Sequence, residues 1–227
     1  MRMIVAFEKT PRVRHIGHLD LMRAMQRALR RSGLPIRYSQ GFNPHVLLSF
    51  ASPLPVGVSG AAELMDVPLE TPVPEAAFVK ALSAALPDSL PLRGVRAVED
   101  RHPKLMAALT SAAYEALCPE SECTRAMAEA IPALLSRESI PAIRKTKSGE
   151  KPCDIRPMLY ALSSELRGDE RIFTFQVALT ELNTLKPDLL LGTLAEMAGA
   201  ECPAFLLRRI GLFSETDGRS VLLMEKK

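Results

Sequence analysis

Residues 18–31, HLDLMRAMQRALRR, restrict the fold more than any other stretch. On a 3.6-residue period Leu21, Met22, Met25, Ala28 and Leu29 gather on one side, and Arg23, Arg27, Arg30 and Arg31 on the other. That spacing predicts an amphipathic helix with one face against a core and a guanidinium row opposite. Gly17 is its expected N-cap, and Gly33 followed by Pro35 its stop. Asp20 stands in the first turn, where the helix dipole favours a carboxylate, within reach of Arg23 at i+3. The row has two readings. It is a solvated face, or it is a ridge for phosphates, because guanidinium forks match phosphate oxygens and three turns hold them in line.

The rest of the first hundred residues arranges itself around that helix. Met1–Lys9 alternates as a strand, with Met3, Val5 and Phe7 on one face and Ile4, Ala6 and Glu8 on the other. Strands are expected at Leu34–Tyr38 and Val46–Ala51, joined by the loop S-Q-G-F-N-P-H, whose Gly41, Asn43 and Pro44 are turn formers. Phe42 in that loop either plugs the core or offers a stacking face. A proline- and glycine-rich run, residues 53–60, leads to a strand ending at Leu69. A helix at Glu75–Ala85 and a strand at Leu92–Val98 follow. The order strand, helix, strand, strand, helix, strand predicts a ferredoxin-like domain over residues 1–100. After a linker at Arg101–Lys104 the order repeats. Ser111–Leu117 is a strand and Glu122–Ser136 a helix interrupted or bent near Pro132. Residues 142–147 and 151–156 form a hairpin with a basic tip, and residues 158–166 and 171–180 a second hairpin. A helix at Asp188–Ala198, a strand at Ala204–Leu212 and a short final strand at Ser220–Met224 complete the chain. The expected fold is therefore α+β, tandem ferredoxin-like (βαββαβ) domains with antiparallel sheets, at residues 1–100 and 105–227. A single larger α+β domain is the alternative.

The runs H-L-D-L-M-R, A-L-R-R-S-G-L-P, Y-S-Q-G-F-N-P-H, P-L-P-V-G-V-S and E-L-M-D resemble the domain of unknown function of radical SAM-linked proteins. The likeness continues in a Lys-x-x-Asp-Ile-Arg-Pro box, here Lys151, Asp154, Ile155, Arg156 and Pro157. It departs at Gly17, where serine is commoner, and at Val46, where proline is commoner. The resemblance spans nearly the whole chain. Members occur alone or joined to the C-terminal end of a radical SAM enzyme, often one with a cobalamin-binding region. It implies an accessory role beside a separate radical SAM enzyme and carries no settled activity.

Hydrophobic residues at 47% and charged residues at 24% suit a folded protein without a membrane span. The start, MRMIVAFEKT, lacks the apolar core of a signal peptide, so the cytoplasm is expected. Cys118, Cys123, Cys153 and Cys202 match neither a zinc ribbon nor the close triplet of a radical SAM cluster. They read as small hydrophobes, and no cofactor or metal is expected. Residues 1–45 hold nine Lys and Arg against two Asp and Glu, whereas the remainder holds twenty against twenty-four. Basic charge gathered at one end points to an anionic partner, with tRNA or ribosomal RNA the expected class.

The candidate RNA-binding residues are Arg23, Arg27, Arg30, Arg31, Phe42, Asn43 and His45, with Lys145, Lys147, Lys151 and Arg156 as a second basic surface. Asp154 and Arg156 also read as a structural pair that fixes a turn. His15, His18 and His45, with Asp20, are the one cluster of catalytic residue types. They suit acid–base work on a ribose 2′-hydroxyl or a metal. Equally, His15 is a loop residue, His18 a core residue and His45 a turn-fixing hydrogen bonder. The expected function is a non-catalytic RNA-binding or substrate-presenting module. The alternatives are a metal-independent RNA endonuclease, similar in outline to the RAMP-type enzymes of CRISPR systems, and a protein–protein docking module. No serine-centred nucleophile elbow or close Cys–His pair is present.

Overall fold

The alternation in the first nine residues becomes β1 (Arg2–Lys9), and all of β1 is buried, on both faces. The structure is a computed structural model that describes residues 1–146 and 149–225. It is a mixed α/β chain with mostly antiparallel sheet and, among the described residues, five α-helices. None of these helices is long and apolar enough to cross a membrane. The chain divides into two units, Met1–Thr110 with Arg209–Lys227, and Ser111–Arg208.

In the first unit β1 leads to α1 (His18–Arg31), β2 (Ser49–Phe50), β3 (Ser59–Pro68), α2 (Glu75–Ala85), β4 (Leu92–Val98) and α3 (Leu105–Ala108). The strands run β4-β1-β3, antiparallel throughout, and β2 pairs with β3 through Ser49 and Phe50. The apolar stripe of α1, Leu21, Met25, Ala28 and Leu29, packs with Phe78 and Leu82 of α2 over Met3, Val5, Phe7, Met65 and Val67. Each of these buried side chains larger than Ala28 contributes roughly 1.5–3 kcal/mol of transfer free energy. Phe7 and Phe50 meet edge to face at 5.8 Å.

Two expected elements shrink. Leu34–Tyr38 forms no strand and makes only the isolated bridges Ile36↔Leu69 and Tyr38↔Val46. Pro35 has no N–H for a ladder, and the second bridge closes a loop instead of extending a sheet. Val46–Ala51 is reduced to the two residues of β2. The linker at Arg101–Lys104 runs directly into α3, a single turn too short to show a period.

Charge is buried at both ends of β1. Arg2 and Asp66 pair at 2.9 Å, both almost fully buried, and Arg2 Nη2 also donates to the carbonyls of His102 and Pro103. Burial raises the Asp66 carboxyl above its ordinary range, and Arg2 opposes that shift. Lys9 Nζ donates to Arg14 O (2.9 Å) and Ile16 O (3.1 Å). Burial draws its ammonium below the usual range, with Glu63 pulling it back up and Arg209 pushing it further down.

The second unit contains β5 (Ser111–Pro119), α4 (Glu122–Leu135), β6 (Pro141–Thr146), β7 (Gly149–Asp154), β8 (Leu159–Arg167), β9 (Glu170–Ala178) and α5 (Pro187–Met197). Its strands run β5-β9-β8, and β6 and β7 form a separate two-stranded ribbon. A capping box starts α4: Ser121 Oγ accepts from Thr124 N at 3.2 Å and Thr124 Oγ1 from Ser121 N at 2.8 Å. The chain then returns to the first unit in β10 (Leu206–Thr216), which lies beside β3 and pairs with β11 (Arg219–Leu222).

Candidate nucleic-acid interface

The amphipathic pattern of α1 leaves its arginines nowhere to go but outward. Arg23, Arg27, Arg30 and Arg31 are all exposed. Arg23 Nη1 meets Asp20 at 3.1 Å, but both side chains are in solvent, where such a pair contributes about 0–1 kcal/mol. Arg31 Nη2 donates to Ala85 O at the end of α2, at 2.8 Å. Arg27 and Arg30 make no ion pair among the described residues. Internal carboxylates therefore do not neutralise the row.

Gln26 ties this face to the neighbouring loop. Its Nε2 donates to Val46 O at 3.3 Å. Gln26 lies three residues after Arg23 and four before Arg30, on the same helical stripe. The loop it touches is closed by the Tyr38↔Val46 bridge, by Ser39 N donating to His45 O (2.9 Å) and by Leu47 N donating to Arg37 O (2.9 Å). Ser39 Oγ accepts from His45 N at 3.0 Å and bonds the His45 ring at Nδ1, at 2.8 Å. Gly41 takes φ +125°, a conformation that β-carbon residues avoid. Beyond this laced base, Phe42 is fully exposed, with Asn43 and Pro44 beside it, and Tyr38 is 38% exposed. A large ring held outward by a bonded loop is an unsatisfied apolar surface.

The histidines take separate jobs. His45 fixes the loop through Ser39. His18 is half-buried with its ring 5.3 Å from Phe50, edge on. His15 is exposed, on the turn whose flanking carbonyls Lys9 holds. Among the described residues no three His, Cys, Asp or Glu side chains come together to hold a metal ion. Tyr38 and Gln26 belong to this face and were not among the sequence candidates. Tyr38 reads as a strand residue, and only the bridge to Val46 reveals it as a loop base.

In the second unit Lys145 is exposed on β6, 3.9 Å from Glu150, and Lys151 is exposed on β7, opposite Arg144. Lys147 lies outside the described residues. A hollow of about 470 Å³ in the first unit is lined by Arg96, Arg101 and His102. Its cations already have partners: Arg96 Nη2 reaches His102 Nε2 at 3.3 Å, and Arg101 Nε reaches Glu99 at 2.6 Å.

The model of a family described as an uncharacterized protein conserved in bacteria, DUF2344, matches residues 2–187. The chain belongs to the DUF2344 family. No curated protein matches this DUF2344 chain. The DUF2344 match runs from β1 to the first residue of α5, so it covers both the α1 row and the Asp-Ile-Arg-Pro box.

That box in the DUF2344 chain forms a clamp, in line with the reading of Asp154 and Arg156 as a structural pair. Arg156 Nε donates to Arg137 O (3.1 Å), its Nη1 to Leu159 O (3.1 Å) and its Nη2 to Leu135 O (3.4 Å). Leu135 O is one of the orphan carbonyls at the exit of α4 and Arg137 O lies just beyond it, and a cation there also suits the helix dipole. Asp154 Oδ1 accepts from Ile140 N (2.8 Å) and Arg156 N (2.9 Å), joining the start of the ribbon to its end. Those two backbone donors hold the Asp154 carboxyl below its ordinary range.

A second carboxylate in the same unit behaves alike. Arg171 grips Glu120 with Nε (2.9 Å) and Nη2 (2.7 Å), and Thr124 Oγ1 adds a third bond at 3.1 Å. The Arg171 hydrogen bonds lead in lowering Glu120 to about 2. A carboxyl depressed on folding stabilises fully above its unfolded value and loses that contribution as pH falls through its folded value. Thermal unfolding followed against pH will show the second unit weakening from about pH 4.5 toward 2, and Glu120→Gln will flatten that dependence. A wild-type melting temperature that stays level across this window contradicts the assignment.

Proposed function

We propose that this chain is a non-catalytic RNA-binding accessory protein that presents a tRNA or ribosomal RNA to a separate radical SAM enzyme in the cytoplasm. One observation carries the RNA reading. Arg23, Arg27 and Arg30 stand exposed along one face of α1, and Gln26 within that face is bonded to the loop that holds Phe42 out. Phosphate contacts from a cationic row supply affinity, and an outward ring supplies a place for a base. The partner enzyme is drawn from the sequence resemblance alone. Exposed Lys145 and Lys151 give the second unit a basic surface of its own for RNA.

We read both units as ferredoxin-like. The strand order β4-β1-β3-β2 supports this in the first. The chain order β5, α4, β8, β9, α5 and the strand order β5-β9-β8 support it in the second, with the β6–β7 ribbon as an insertion. The endonuclease reading gains no support, since His45 is engaged by Ser39 and His18 lies against Phe50.

Tagging the protein in its host, crosslinking, and sequencing the attached RNA will test this reading. Co-purifying proteins are identified with and without nuclease. A defined RNA class, with a radical SAM enzyme among the retained proteins, is expected. Absence of crosslinked RNA together with a protein complex that survives nuclease would refute it in favour of a docking module.

A further inference from the structure

The geometry points to a single-stranded, unpaired stretch of RNA as the ligand of this face, with Tyr38 and Phe42 each stacking on a base. The inference rests on the RNA reading above and names the substrate class within it. Three observations converge. First, Phe42 is fully exposed and Tyr38 more than a third exposed, one at the tip and one at the base of the same loop. Second, that loop is pre-organised. The Ser39–His45 bonds, the Tyr38↔Val46 bridge and the Gln26–Val46 bond fix its root, so little freedom is lost when a ligand arrives. Third, the guanidinium row from Arg23 to Arg30 extends only about 10 Å along the helix axis.

The exposed rings and the short row each disfavour a duplex. An aromatic ring stacks only on a base whose face is open, and bases inside an A-form helix are already covered by their neighbours. Side chains cannot read the deep, narrow major groove of paired RNA. Modules that bind paired RNA by shape span about 16 base pairs, far more than a row of this length reaches. A short basic row beside outward rings is instead the arrangement that holds a few unstacked nucleotides, with phosphates on the guanidinium groups and bases on the rings. Asn43, exposed next to Phe42, adds an amide that can donate to and accept from the edge of the stacked base. A loop, bulge or tail of a structured RNA presents this ligand, and a continuous helix does not.

The test compares a short labelled single-stranded RNA with the duplex it forms with its complement. Fluorescence anisotropy is measured on the full chain at fixed salt. Single strand is expected to bind more tightly than duplex. Phe42→Ala is expected to weaken single-strand binding by roughly 5- to 150-fold. Tyr38→Leu, which keeps bulk and removes the ring, is expected to weaken it toward the lower end of that range. Neither change should alter binding to heparin, a polyanion without bases, while Arg27→Ala with Arg30→Ala should weaken heparin and RNA alike. Phe42 touches no core, so its loss leaves folding intact, and circular dichroism checks Tyr38→Leu. Equal affinity for duplex and single strand, or ring variants that bind as the wild type does, overturns the inference and leaves the arginine row as a phosphate surface. Failure of the wild type to bind either RNA overturns the inference and the RNA reading together.

Discussion

Glu63→Ala will lower the unfolding free energy by about 3–5 kcal/mol. The carboxylate sits on β3 with its side chain 4% exposed, facing an Arg209 side chain that is 1% exposed and 146 residues away in the chain. Arg209 Nε donates to Oε1 at 2.8 Å and Nη2 to Oε2, while Nη2 also reaches Ser52 O (3.1 Å) and Nη1 reaches Ser52 Oγ (3.4 Å). Lys9, on the neighbouring strand, lies within the same field. Removing Glu63 therefore takes away the buried carboxylate that Arg209 grips and that holds the Lys9 ammonium up, so the repulsion between these two cations is less well offset. Glu63→Gln keeps the shape and loses the charge, so the same direction and a smaller loss are expected. Replacing both partners, Glu63→Leu with Arg209→Met, will be less damaging than Glu63→Ala alone, because the guanidinium that repels Lys9 leaves together with the carboxylate. Gly60 reports on the same clamp by a different route. A β-carbon there would stand 2.6 Å from the Glu63 carboxylate and its Cγ, so Gly60→Ala pushes the carboxylate out of position. Urea unfolding followed by far-UV circular dichroism measures all four variants. A Glu63→Ala protein within about 1 kcal/mol of the wild type would show that water, not Glu63, satisfies Arg209.

This buried network also explains where sequence reasoning succeeds and where it stops. The helix at His18–Arg31 and the helix at Glu75–Ala85 have their expected limits, because a 3.6-residue apolar period is local and survives without knowledge of partners. The alternation of β1 assigns its two faces correctly but not that both are buried. Nothing near Arg2 or Lys9 announces Asp66, Glu63 or Arg209, which the topology brings in from distant strands. The excess charge of residues 1–45 is thus not all surface charge. Arg2 and Lys9 are internal, and Arg37 is drawn toward Asp100 at 3.7 Å and donates to Leu69 O. What faces outward as an ordered row narrows to α1. The Asp-Ile-Arg-Pro box shows the converse limit. A basic residue two after an acidic one fits a charged surface and a turn clamp equally well. Only the position of the α4 exit carbonyls decides for the clamp.

The decisive measurement on α1 is the salt dependence of RNA binding in a variant with Arg23, Arg27 and Arg30 all replaced by alanine. Each phosphate contact on a single strand contributes about 0.7 to the slope of log affinity against log salt, so losing three should flatten that slope by about 2. With charge-assisted hydrogen bonds contributing roughly 1.5–3 kcal/mol apiece, the affinity should fall on the order of a thousandfold or more at moderate salt. Stability should barely move. Alanine is the best helix former, and the three side chains are exposed. Among the described residues the internal bond lost is the solvent-exposed Arg23–Asp20 contact. Arg31 is left in place because it also holds Ala85 O. Arg156→Ala supplies the opposite pattern. It removes three bonds to carbonyls and should destabilise the second unit while leaving the salt slope of RNA binding unchanged. The two variants therefore separate a cation that holds the fold from cations that hold a ligand. If the triple variant kept the wild-type slope, the α1 row would be a solvated face, and the anionic partner would have to be met elsewhere.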